Sequence, residues 1–105
     1  MLSCMLLAIE CQGVNVTTIE GLADPRTGEL HILQQAFIDN GGIQCGFCTP
    51  GMILAAKALL DKNISPTDEE IREAIDGNIC RCTGYIGIVN SITAAAEVIR
   101  QERKK

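Results

Sequence analysis

Tryptophan is absent from this 105-residue chain, and Tyr85, Phe37 and Phe47 are its only aromatic residues. A core so short of large rings has to fill its volume with aliphatic side chains, which points to packed helices. Positive charge is scarce as well. The formal net charge is -4, and nucleic acid asks for clustered Lys and Arg. The basic stretch from Arg100 to Lys105 is short, contains Glu102, and reads as a solvated helix end. No long hydrophobic run is present. The opening "MLSCMLLAIEC" is apolar, but Glu10 interrupts it and it is too short to span a bilayer. It also lacks the basic start of a secretory signal. The expectation is therefore no nucleic acid, no membrane insertion and a cytoplasmic chain with reduced thiols. His31 is the only histidine, with no second ligand at metal spacing, and reads as a surface or helix-start residue. Nothing resembles a catalytic triad, a paired-carboxylate site or a phosphate loop, so no substrate chemistry is expected on this chain.

What the chain does have is 47% apolar residues and six cysteines. Three disulfides would suit a small secreted protein, but a chain able to build an aliphatic helical core needs no such staples. The periodicity predicts four helices. The first runs from about Glu29 to Asp39 and stops at "DNGG". The second starts at Thr49-Pro50, a capping hydroxyl followed by proline, and reaches Lys62-Asn63. The third carries a capping box from Thr67 to Glu70 and stops at Gly77-Asn78. The fourth runs from about Gly84-Tyr85 to Arg103. Short connections predict antiparallel neighbours in a small bundle. Residues 2–10 suggest a short helix, and "VNVTTI", Val14 to Ile19, reads as a β-strand with no partner in this chain.

Four of the cysteines form a pattern: Cys45-x-x-Cys48, a 31-residue spacer, then Cys80-x-Cys82. Each pair precedes a helix, and the spacer holds one helical hairpin that can return the chain to its starting end. Four thiols from two loops are thus expected to converge near helix N-termini, where the dipole should lower their pKa. Thioredoxin-like exchange fits poorly, because it leaves the second pair without a role. Spacing alone leaves structural zinc and an iron–sulfur cluster equally open. Two features favour iron: the fold supplies its own core, and glycine-flanked loops let backbone amides approach bridging sulfides. Cys11 matches no ligand position and reads as a packed apolar thiol.

The stretches "GGIQCGFCTPGMILAAKALL" and "PTDEEIREAIDGNICRCTGYIGIVNSI" resemble the second [2Fe-2S] domain of the small subunit of molybdenum hydroxylases. That group, the xanthine oxidase family, includes aldehyde oxidoreductases and aerobic carbon monoxide dehydrogenases. The resemblance runs from Ser3 to about Ile99. It implies a mainly α fold, a four-helix bundle with the cluster between its central helices, over residues 23–105. It implies that Cys45, Cys48, Cys80 and Cys82 ligate one [2Fe-2S] cluster, and that Gln44 and Cys82 contact a molybdopterin held by a large subunit. Arg81 would offset cluster charge or face a partner. Residues 1–22 would be the end of a β-grasp, plant-type ferredoxin domain, a short helix plus a strand. Cys4 would match the fourth ligand of that domain's cluster, whose other three ligands do not occur in this sequence. The implied function is electron transfer within an oxidoreductase complex, from molybdenum toward a second cluster and FAD on a medium subunit. The alternative is a non-catalytic zinc Cys4 interaction module.

Overall fold

The structure, a computed structural model, describes residues 6–24 and 26–103. Four helices account for most of them: α1 (Ile32–Asp39), α2 (Thr49–Lys62), α3 (Asp68–Ala74) and α4 (Ile86–Arg103). The mainly α fold expected from the periodicity is what forms, although the starts of three helices move, that of α4 from Gly84-Tyr85 to Ile86. α1 begins three residues later than the apolar repeat suggests. The turn before it consumes the backbone of Glu29, whose carbonyl accepts from the Asp24 N–H at 2.8 Å. His31 then caps α1: its Nδ1 accepts from the Leu33 N–H at 3.1 Å, and its own N–H donates to Gln34 Oε1 at 2.9 Å. The "DNGG" stop behaves as expected. Asn40 Nδ2 donates to the Ala36 carbonyl, and Gly41 takes the left-handed conformation with φ 70°.

At α2 the expected cap moves by one residue. Cys48 occupies the N-cap position, Thr49 is the first helical residue, and Pro50 sits in the first turn, where its missing N–H costs nothing. α3 carries the expected capping box. Thr67 Oγ1 accepts from the Glu70 N–H and Glu70 Oε1 accepts from the Thr67 N–H, both at 3.2 Å. The core is aliphatic apart from Phe37. α4 lays Ile88, Val89, Ile92, Ala95 and Ala96 chiefly against Leu33, Ala36 and Phe37 of α1. Met52, Ile53, Ala56 and Leu60 of α2 close the other side, with Ile71 and Ile75 beneath them. Arg100 Nη1 donates to the Ile64 carbonyl at 3.0 Å, tying α4 to the connection between α2 and α3.

The expected strand does not form. Among the described residues there is no strand; Val14–Thr18 is irregular, and Ile19–Gly21 makes a 3-10 turn. Alternating β-branched residues favour extended backbone, but a strand needs a neighbour to take its N–H and C=O groups, and none stands beside it. The short helix expected near the start is one 3-10 turn, Ala8–Cys11. Leu7, Ile9, Val14 and Val16 of this segment are all exposed. No helix among the described residues is long and apolar enough to cross a membrane.

Candidate metal centre

The four spaced cysteines lie in the loop that follows α1 and the loop that follows α3. The α2–α3 hairpin between them brings the two loops to one end of the molecule. Glycines then let the loops seat against each other. A Cβ on Gly87, in the first turn of α4, would run into the Gly41 carbonyl. One on Gly42 would lie 2.6 Å from Ser91 Oγ and 2.9 Å from Phe37 Cδ2. One on Gly51 would lie 2.6 Å from Asn78 Oδ1, which precedes Cys80 by two residues. Ser91 is fully buried and donates to the Gly87 carbonyl at 2.7 Å, so the close approach leaves its hydroxyl paired.

Local backbone geometry aims the thiols. Gly46 has φ 86°, a left-handed turn between Cys45 and Cys48 that brings the Phe47 amide near enough to the Cys45 thiol to lower its pKa. In the second loop Gly84 and Tyr85 are both left-handed, at φ 66° and 72°. Tyr85 is the only non-glycine with positive φ among the described residues, a conformation that persists only where surrounding bonds hold it. Here the Tyr85 N–H donates to Thr83 Oγ1 at 3.2 Å, and Tyr85 Oη accepts from the Cys80 N–H at 3.0 Å.

The thiols meet across the loops. Cys45 neighbours Cys82, and Cys48 neighbours Cys80, close enough for each thiol to shift the pKa of its partner. Cys80 is buried, Cys48 half-buried, and Cys45 and Cys82 are exposed. The expectation that helix N-termini depress every thiol is corrected by this geometry. Cys80 is lowered to about 7 by the Thr83 hydroxyl and the Thr83 amide. Cys45 is lowered, first by the Phe47 amide. Cys48, although it caps α2, is raised to about 11 by burial and by the neighbouring thiols. Cys82 is raised, because Cys45 holds the charge within their pair. Four anions packed together repel, so a metal binding here would have to displace the protons that Cys48 and Cys82 hold more tightly.

All five described cysteines, these four and Cys11, are free thiols. Cys11 is half-buried at the end of its 3-10 turn, and Cys4 lies outside the described residues. Gln44 is exposed directly before Cys45, and Arg81 is exposed between Cys80 and Cys82. His31 sits in the α1 cap, the helix-start position expected for it. Among the described residues no three Cys, His, Asp or Glu side chains form a ready cage for a single metal ion. The donor set instead consists of two cross-loop thiol pairs. Soft thiolates of this kind suit zinc or iron–sulfur chemistry, and two pairs fit a centre with two metal ions. Around them Phe47, Ile79 and Ile86 are 94%, 75% and 66% exposed, an apolar rim on a small chain.

Sequence reasoning missed Thr83, Tyr85 and Gly87. The hydroxyl three residues after Cys80 was visible in "CRCTGY", but nothing in spacing alone says that a left-handed tyrosine folds it back onto the sulfur.

A profile of the [2Fe-2S] binding domain family matches residues 18–93. The chain belongs to that family. It is 53% identical over 95 residues to the nicotinate dehydrogenase small FeS subunit of Eubacterium barkeri, covering 90% of this chain and 59% of that protein. It is 47% identical over 92 residues to the xanthine dehydrogenase iron-sulfur-binding subunit of Escherichia coli O157:H7, covering 86% and 57%. Among solved structures, quinoline 2-oxidoreductase from Pseudomonas putida superposes with a TM-score of 0.84 at 43% identity, covering 96% of this chain and 62% of that one. The chain therefore spans a little under three fifths of the length of these curated relatives. The resemblance to iron–sulfur subunits of the molybdenum hydroxylases holds, and with it the helical [2Fe-2S]-binding fold.

Proposed function

We propose that this chain is the iron–sulfur electron-transfer unit of a molybdenum-containing hydroxylase or dehydrogenase. Cys45, Cys48, Cys80 and Cys82 would together hold one [2Fe-2S] cluster. The observation that carries this reading is the cross-loop pairing of thiols, Cys45 with Cys82 and Cys48 with Cys80, which offers two thiolates to each of two irons. Such a cluster, when bound, accepts and releases one electron at a time. The names of the relatives, nicotinate and xanthine dehydrogenase subunits among them, support an oxidoreductase complex. Within it, electrons would run from a molybdopterin site on a large subunit toward a second cluster and FAD on a medium subunit.

The chain's own residues would do the following work. The two loops orient the thiolates, the glycine contacts fix the distance between the loops, and the aliphatic core keeps water from the Cys80 side. Gln44 and Cys82 stand at the exposed rim, where they would meet the molybdopterin of the large subunit. The apolar rim of Phe47, Ile79 and Ile86 would be covered by that partner. Residues 23–105 would form the helical domain. Residues 1–22 would be the end of a ferredoxin-type domain, with Cys4 an unmatched ligand of its cluster.

Anaerobic purification followed by iron, zinc and sulfide analysis tests the reading. A red-brown protein with about two iron and two sulfide per chain is expected, and Cys80→Ser should lose most of the iron. A colourless protein with one zinc would turn the four cysteines into a structural clasp and end the electron-transfer reading.

A further inference from the structure

One cysteine of the four is treated differently from the rest. Thr83 Oγ1 lies 3.1 Å from Cys80 Sγ, and the Thr83 N–H points at the same sulfur from 3.5 Å. The direction of the proton follows from chemistry. A metal-bound thiolate has no proton to give, so the hydroxyl has to donate. The Tyr85 N–H already occupies one lone pair of Thr83 Oγ1 at 3.2 Å, which leaves the hydroxyl proton free to face the sulfur. The main-chain amide of Cys80 is meanwhile engaged by Tyr85 Oη at 3.0 Å. The loop thus closes a small ring of bonds, Cys80 to Tyr85 to Thr83 and back to Cys80, with the hydroxyl fixed on the sulfur. No other cysteine of the four meets a side-chain hydroxyl among the hydrogen bonds of the described residues. Cys80 is also the buried residue of the four, at 6% exposure.

We propose that Thr83 is a positioning residue that raises the reduction potential of the cluster by donating its hydroxyl to the Cys80 thiolate. Tyr85, in its left-handed conformation, holds that hydroxyl in place. A hydrogen bond to a ligand sulfur draws electron density away from iron and favours the reduced state. Burial of the sulfur strengthens the bond, because the local dielectric is low. The consequence is an asymmetric centre: the side held by Cys80 is buried and hydrogen-bonded, while Cys45 and Cys82 face outward. The inference rests on Cys80 being a cluster ligand, as proposed above.

The test compares the cluster-loaded chain with Thr83→Val, which removes the hydroxyl at nearly constant shape, and with Thr83→Ser, which keeps it. Iron content, the visible spectrum and the midpoint potential from a mediated redox titration are read on each. Thr83→Val is expected to retain about two iron per chain, shift its sulfur-to-iron absorption bands and become harder to reduce; Thr83→Ser should return the potential to that of the parent. A Val variant with full iron and an unchanged potential overturns the proposal. So does a folded Val variant that takes up no iron, since the hydroxyl would then serve to hold the cluster instead of tuning it. Should the Val chain not fold, Thr83→Ala is read by the same criteria. A parent chain that carries zinc in place of iron fails the ligand reading itself, before any variant is made.

Discussion

His31 shows how much a single side chain can decide. A histidine caps a helix only through a ring nitrogen that carries no proton, and Nδ1 of His31 accepts from the Leu33 amide. Burial holds its pKa below the ordinary 6.5, and Lys57 on α2 pushes the same way, with Asp61 opposing. Lys57 and Asp61 are paired with each other at 2.9 Å, which mutes both. The unfolded histidine takes its proton near the ordinary value, and the folded one only at lower pH. Between those two points the unfolded chain binds more protons, so stability rises with pH across the window and is lost as pH falls through it. Denaturant midpoints of the parent and of His31→Asn measure this directly, since Asn keeps the cap without titrating. The parent should lose more stability than the variant as the pH falls through the ordinary histidine range, from about pH 7.5 to 5.5. Equal slopes for the two chains would show that the cap does not titrate.

Among the elements, α3 is the weakest alone and the one on which the site leans. Seven residues are too few to hold a helix by their own hydrogen bonds, so α3 depends on its cap and on Ile71 in the core. It also sets where the second loop leaves the bundle, and hence where Cys80 stands. Thr67→Ala removes the capping hydroxyl and should cost about 1 kcal/mol, within a range of roughly 0.5–2. The loss should appear as faster hydrogen exchange in Glu70 and Ile71 and a lower denaturation midpoint. Unaltered exchange there would mean that packing alone fixes α3. This cap was legible in the sequence because Thr-x-x-Glu carries its own chemistry, and so was the start of α2 at Thr49-Pro50, to within one residue. The start of α1 was not, since histidine is rarely a cap and the apolar repeat begins at Glu29, before the turn releases the backbone. "VNVTTI" misled for the opposite reason. Its local preference for extended backbone is real, but strand formation is decided by a neighbour that no local pattern reports. For the metal centre the spacing named the four cysteines, whereas the pairing across loops and the hydroxyl on Cys80 depend on left-handed turns at Gly46 and Tyr85. Of these only the glycine advertises its conformation.

At the scale of the whole molecule, the buried and exposed apolar residues are unevenly divided. From Leu22 onward the aliphatic side chains largely find the core, while Leu7, Ile9, Val14 and Val16 remain 62% to 75% exposed. A free chain in water loses the benefit of burying those four side chains, worth roughly 1.5–3 kcal/mol each when complete. The relatives extend well beyond the stretch this chain matches, and a covering partner or further polypeptide would recover that energy. Limited proteolysis separates the two parts. Residues 12–18 contain few main-chain hydrogen bonds and face solvent, so a protease of broad specificity should cut there first and leave a helical core beginning near Ile19. The core should keep the proposed cluster, because all four paired cysteines lie beyond the cut. Bound to the partner proposed above, the chain should resist cleavage at the same bonds. Cutting that starts instead between α2 and α3, with residues 12–18 intact, would place the weak point inside the bundle. The two cysteine loops, which that hairpin connects, would then owe their alignment to bound metal more than to the fold.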